Sequence, residues 1–320
     1  MKPIISTIAL SLCMLFPSVN INENVSDKLD TVDYPTNTSE INTKYSEFPS
    51  AVFKNKLIIT SSKKIGGLGN GKDKLTNEPY FELFCLDISG SGELSNPLFF
   101  SRTLNTKHNE GMVSFSPKDK TIYFSRSLRD NSKNYQLYKA NLNVFSKEIW
   151  INQKRLSKNA NHSIENPRVS PDGKKLYFSS NLPGSIGGYD LYVSDILSDG
   201  TIGTPKNLGD TINTALDDKY PFLSEDGTQL YFSSQGHNSI GGFDIFVSQI
   251  KDGSYQTPIH LEENINTPYD EVAFILINNN GQGYFSSNKP GGKGSFDIYS
   301  FYLKSQFNLE DVFANKNDKK

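Results

Sequence analysis

Ser185–Asp195 reads SIGGYDLYVSD, and Ser239–Gln249, 54 residues later, reads SIGGFDIFVSQ. Tyr becomes Phe, Leu becomes Ile, Tyr becomes Phe, and the last letter changes from Asp to Gln. A catalytic motif is needed once, whereas a phrase that returns at a fixed interval belongs to architecture. The same track continues on both sides. YFELFCL puts Phe81 54 residues before Tyr135 of NYQLYKA, Tyr135 stands 54 before Tyr189, and SFDIYSF puts Phe296 53 after Phe243. A second track, TIYFSR, KLYFSS, QLYFSS and GYFSS, spaces Tyr123, Tyr177, Tyr231 and Tyr284 by 54, 54 and 53 residues, with LIITSS in this place in the first copy. A third, INTKYSEF, LNTKHNEG, NANHSIEN, INTALDDK and INTPYDEV, precedes it.

Five copies therefore fill residues 41–305. Each has four short stretches of alternating pattern, such as NPRVS, KKLYFSS, YDLYVSD and TPKNLG in the third, punctuated by Pro, Asp-Gly and Gly-Gly. SPDGKK at Ser170 and SEDGTQ at Ser224 read as tight hairpins, because Asp-Gly supplies the positive φ angles such turns need. The two-residue alternation excludes stacked helical repeats. Four antiparallel strands repeated about an axis predict an all-β, five-bladed β-propeller.

The pattern S-x-DG-xx-LYFSS…GGYDLYVS resembles the WD40-like, or PD40, repeat of TolB-type proteins. It is similar above all to the propeller segment of envelope proteins that also carry an OmpA-like domain. Copies one and two depart from it, with Glu82 and Gln136 in place of the Asp and no Gly-Gly just before them. The OmpA-like domain has no counterpart in the sequence. The resemblance implies a propeller acting in the bacterial envelope.

The remaining features bound the function. Of 320 residues, 33 are Lys or Arg and 35 Asp or Glu, a net charge of −2, so no basic field invites nucleic acid. Residues 1–20 hold one Lys before an apolar run, Ile4–Phe16, too short to span a bilayer. They read as an export signal. Cys13 raises lipid attachment as an alternative, although a bulky Leu12 precedes it. Residues 21–40 read as a flexible leader and 306–320 as a C-terminal tail. The fifth copy lacks an evident fourth strand, and either flank could supply it. No second segment has membrane length. The expected location is exported: periplasmic, outer-membrane associated or secreted.

Tyr177-Phe178, Tyr231-Phe232 and Tyr284-Phe285 are adjacent strand residues and so point to opposite faces, which suits packing against both neighbouring blades. Asp190, Asp244 and Asp297 open the third strand, about 10 Å beyond the innermost one, too far out to converge on one ion. They are expected to accept backbone hydrogen bonds and pin the preceding loop, with Gly188 and Gly242 allowing the corner. His108, His162, His237 and His260 lack metal-ligand spacing. No cofactor or metal is expected.

The leading expectation is a non-enzymatic scaffold that binds another envelope or secreted protein. It would use the face carrying SNLPGSIGG and GDTINTALDD, where the longer loops gather. The first copy's loop is about eleven residues longer than the third's. It offers Ile65, Leu68, Lys72, Lys74 and Tyr80 as partner-binding residues. The alternative is a five-bladed glycoside hydrolase or carbohydrate-binding protein, with carbohydrate the weaker partner. Its catalytic pair would come from Glu110, Glu165 and Glu271, which recur with Glu47 and Asp218 near the start of the innermost strand.

Overall fold

The computed structural model describes residues 32–37 and 41–303, apart from 65–70, 76, 91, 119, 130, 146–148, 158–159, 262–263 and 278–280. The first strand is β1 (Val32–Asn37). Blade one then follows as β2 (Glu47–Phe53), β3 (Lys56–Ser61), β4 (Glu82–Asp87) and β5 (Leu98–Phe99). Blade two is β6 (Glu110–Phe115), β7 (Thr121–Ser127), β8 (Tyr135–Asn143) and β9 (Ile149–Arg155). Blade three is β10 (Ile164–Val169), β11 (Lys175–Ser180), β12 (Asp190–Asp195) and β13 (Lys206–Asn207). Blade four is β14 (Asp218–Leu223), β15 (Gln229–Ser234) and β16 (Asp244–Lys251), with β17 (Ser254–Tyr255) and β18 (Ile259–His260) sharing its outer edge. Blade five is β19 (Glu271–Leu276), β20 (Gln282–Ser287) and β21 (Asp297–Leu303).

Every pairing within a blade is antiparallel, so this is the five-bladed propeller that the repeat predicts. Its innermost strands β2, β6, β10, β14 and β19 touch in that order, and β19 returns to β2. The fourth strand of blade five is β1, which pairs β21 from Val32↔Leu303 to Asn37↔Tyr299. The segment read as a flexible leader thus contains an ordered strand, a correction with a simple cause. The third strand of the last blade would otherwise leave its outer backbone groups unpaired. Pro35 falls at the irregularity between Asp33 and Thr36, where the ladder needs no N–H.

Between the blades lie the aromatic pairs. Tyr123 packs with blade three and Phe124 with blade one; Tyr177 packs toward blade four and Phe178 toward blade two. Each such buried side chain contributes about 1.5–3 kcal/mol. Tyr284 and Phe285 are fully buried in the largest cluster, which joins blade five to blades one and four. Tyrosine hydroxyls of the second strands also stitch blades: Tyr123 Oη donates to the Gly200 carbonyl at 3.1 Å, and Tyr284 Oη to that of Gly92 at 2.6 Å. The second of these crosses the ring closure.

Candidate functional site: the axis and its two mouths

Antiparallel order puts two kinds of connection on opposite faces. The entry face, where the innermost strands begin, carries the links between blades and the loops between second and third strands. The hairpin face carries the tight turns such as Ser170–Lys175, in which Asp172 holds the Ser170 hydroxyl and the Lys174 N–H.

On the entry face the recurrent acids are spoken for. Glu47, Glu110, Asp218 and Glu271 are all fully buried. Each accepts the backbone N–H and hydroxyl of a Thr four residues upstream: Thr43, Thr106, Thr214 and Thr267. Each acid's own N–H donates to the carbonyl of Phe296, Phe81, Tyr189 or Phe243 in the preceding blade. The Asn before each Thr completes the clasp. Asn213 Oδ1 accepts the Leu191 N–H at 2.7 Å while its Nδ2 donates to the Leu191 carbonyl at 3.0 Å. Asn42 with Ile298, Asn105 with Leu83, and Asn266 with Ile245 repeat this exchange. The third sequence track is therefore a blade-to-blade fastening. Burial pushes the carboxyls of Glu47 and Glu110 up to about 7, against the pull of Thr43 in the first and of Arg126, 2.8 Å from Glu110, in the second.

Glu165 stands apart. Ile164, not Glu165, pairs with Ser180 as Asp218 pairs with Ser234 and Glu271 with Ser287. Glu165 is one residue out of register with the other acids and points to the opposite side of its strand. It meets Lys219 of the next blade at 2.8 Å, both largely buried, and accepts the Ser163 hydroxyl at 2.7 Å. Burial alone would lower the Lys219 pKa, but the Glu165 carboxylate holds it above the usual lysine range. The Lys219 ammonium also lies 3.9 Å over the Tyr189 ring. Glu110 and Glu165 line one small cavity of about 130 Å³ with Tyr135 and Tyr220, whose phenols burial raises; Glu271 does not line it. Sequence spacing carried the clue, since Glu110 to Glu165 is 55 residues and Glu165 to Asp218 is 53.

The carboxylates at the third strand are also engaged. Asp190 accepts the N–H groups of Ile186 (2.7 Å) and Gly187 (2.9 Å) and the amide of Asn207. Asp244 accepts from Ile240 N–H (2.7 Å) and lies 2.7 Å from His260 Nε2. Asp297 accepts from Gly294 N–H at 3.0 Å. No cluster of three metal-ligating side chains occurs among the described residues. A Cβ at Gly187 would strike the carbonyls of Thr214 and Leu216, and one at Gly241 those of Thr267 and Tyr269. Gly188 and Gly242 are crowded instead by the carboxylates of Asp217 and Asp270. None of these four has a positive φ, so the phrase needs glycine for close approach and not for an unusual backbone turn.

That close seating leaves apolar side chains outward. Ile186 is 47% exposed and Leu216 52%, on a loop and a link that touch; Ile240 at 51% and Tyr269 at 42% repeat the arrangement one blade on. The sequence reading missed these four. In the long loop of blade one, Ile65 and Leu68 lie outside the described residues. Lys72 and Lys74 are exposed and Tyr80 half-buried, while Asp73 is buried and accepts from Leu75 N–H and Asn109 Nδ2. Leu75 in that loop is 63% exposed on the same face.

The hairpin face holds the larger opening, a cavity of about 990 Å³ bordered by all five innermost strands. Its carboxylates, Glu225 and Asp226, are adjacent residues on one turn.

No family model matches the sequence, and no curated protein matches it. Among solved structures, a glycoside hydrolase matches at 9% identity over 89% of this chain and 96% of its own, with a TM-score of 0.57. The β-1,2-mannobiose phosphorylase of Listeria innocua matches at 8% identity over 88% and 99%, with a TM-score of 0.53. TolB from Acinetobacter baumannii matches at 19% identity over 78% of this chain and 53% of its own, with a TM-score of 0.40. The chain thus spans about half the length of that TolB. At these identities the likeness concerns fold alone. The chain is a five-bladed β-propeller similar in fold to a glycoside hydrolase and a mannobiose phosphorylase, with TolB proteins among its structural neighbours.

Proposed function

We propose that this chain is an exported, non-enzymatic propeller scaffold whose entry face binds another protein of the bacterial cell envelope. The observation that carries the reading is the repeated exposed apolar pair, Ile186 with Leu216 and Ile240 with Tyr269, held on loops pinned by Asp190 and Asp244. Exposed apolar side chains on rigid loops suit protein recognition. The clasp role of Glu47, Glu110, Asp218 and Glu271 weakens the case for a catalytic pair there. The expected export rests on the apolar run Ile4–Phe16, which lies outside the described residues; among those described, no helix is long and apolar enough to cross a membrane. The test is capture from native envelope extract by the full chain and by the double variant Ile186→Asp/Ile240→Asp. Capture should fail in the variant with its melting temperature within a few degrees. Equal capture, with loss instead on altering the Asp172-Gly173 and Asp226-Gly227 turns, would move the surface to the hairpin face.

A sugar-acting enzyme is the second reading, favoured by Glu110 and Glu165 lining one cavity. It requires reproducible hydrolysis of a polysaccharide or glycoside that Glu165→Gln abolishes while the fold is kept.

A further inference from the structure

One level of the axis breaks the five-fold repeat. Where the innermost strand pairs with the second strand's Tyr, or with Ile58 in blade one, the blades present Ala51, Ser114, Arg168, Phe222 and Ile275. All five line the hairpin-face cavity. Four are neutral and the fifth is a guanidinium.

Arg168 has no ion-pair partner among the described residues. Its Nε is buried without any hydrogen-bond partner, and its best polar contact is Nη2 to the Leu223 carbonyl at 3.4 Å. The guanidinium lies 3.9 Å over the Phe222 ring. Burial pushes its pKa down to about 10, so it stays charged at neutral pH. Arg168 as a whole is half-buried, at the wall of the cavity. A partly desolvated charge without a counter-charge costs a fold stability, and an apolar side chain of similar size would serve packing better. The two carboxylates at this mouth do not relieve it. Glu225 and Asp226 are exposed, and Asp226 holds the Ser224 hydroxyl and Thr228.

We propose that the hairpin-face cavity is a binding site for an organic carboxylate with an apolar body. The carboxylate lies against the Arg168 fork, and the body against Phe222 and Ile275. The planar fork matches a carboxylate in shape, and one cation neutralises one such charge. A phosphate dianion would bring a second charge to a cavity rimmed by Glu225 and Asp226. The volume falls in the range of small-molecule sites, about 300–1,000 Å³. The site is independent of the entry face and of whatever binds there.

Thermal melts of the full chain would be run with acetate, hexanoate, benzoate and phenylacetate, with phenylacetamide and inorganic phosphate as controls. A ligand that binds only the folded chain raises the melting temperature with its concentration. We expect that response to phenylacetate, benzoate or hexanoate, and none to phenylacetamide. Arg168→Met should abolish it and melt higher than the parent without ligand. Should that variant not fold, crystals of the unaltered chain soaked in 4-bromophenylacetate provide the readout. The bromine signal should appear in the cavity with the carboxylate on Arg168. No response to any carboxylate together with an empty cavity in the soak overturns the proposal. So does an equal response to phenylacetamide or in Arg168→Met, and so does stabilisation by phosphate alone.

Discussion

Glu47 is fully buried with three donors around it and, among the described residues, no cation in contact: Thr43 N–H, Thr43 Oγ1 at 2.5 Å and Ser61 Oγ at 3.2 Å. Desolvation outweighs those donors and raises its pKa from 4.5 to about 7, with Asp297 adding to the rise. The sign of the linkage follows. The folded chain binds this proton more tightly than the unfolded chain does, so stability is full below about pH 4.5 and falls as pH rises through 7. The loss is at most about 3 kcal/mol for a shift of this size. Glu47→Gln keeps a carbonyl for Thr43 and cannot ionise. Relative to the parent, it should therefore gain melting temperature between pH 5 and pH 8. Parallel melting curves for the two proteins across that range would show that Glu47 is not the titrating group. Arg168 is the other residue whose setting defies its neighbours, and single-sequence reading passed over it. In NPRVS it looks like one more strand residue; only its register against Phe222 and Ile275 makes the charge exceptional.

The link between blades, such as Ile212–Asp218, has little regular structure and yet carries much of the fold's specificity. Asn213 imitates a strand neighbour for Leu191, and Thr214 caps Asp218 at the start of β14. Asn213→Ala would leave the buried N–H of Leu191 without that acceptor, while the Leu191 carbonyl keeps the Leu208 N–H, a cost of about 1–3 kcal/mol. The expected result is a lower urea midpoint with an unchanged slope, since the ring still unfolds as one unit. An unchanged midpoint would reduce the clasp to a spectator. Strands and hairpins were legible because alternation and Asp-Gly turns act locally. The five copies followed because their period is nearly constant. What escaped reading depends on partners distant in sequence. NANHSIEN aligns by eye with INTALDDK, but the hydrophobic face selects Ile164 for the inner position and shifts Glu165 by one. That single shift turns a supposed member of the acid ring into the partner of Lys219. The exposed Ile186 and Ile240 escaped for the opposite reason: an Ile inside a repeat reads as core until its loop is seen resting on the next link.

A ring must end where it began, and here the two ends of the domain meet in one blade. β21 has β20 on one side and β1 on the other, so strands some 260 residues apart in sequence share blade five. Beyond β1, the seam between blades five and one repeats the fastening used elsewhere. Asn42 exchanges bonds with Ile298, Glu47 N–H donates to the Phe296 carbonyl, and Ser286 Oγ donates to that of Glu47 at 2.7 Å. Loss of β1 should therefore leave a closed ring with one unfinished blade, not an open arc. Residues 31–320 and 41–320, prepared separately, distinguish the contribution of the strand from that of everything before it. The longer form retains β1. The shorter exposes the outer backbone groups of β21, a template for pairing with another chain. It should unfold at a clearly lower urea concentration, losing a sizeable share of the ~5–15 kcal/mol typical of a domain. It should also associate as its concentration rises, seen by sedimentation, while the longer form stays monodisperse. Equal midpoints and equal sedimentation would mean that blade five is complete without β1, and that ring closure rests on the direct contacts between blades five and one.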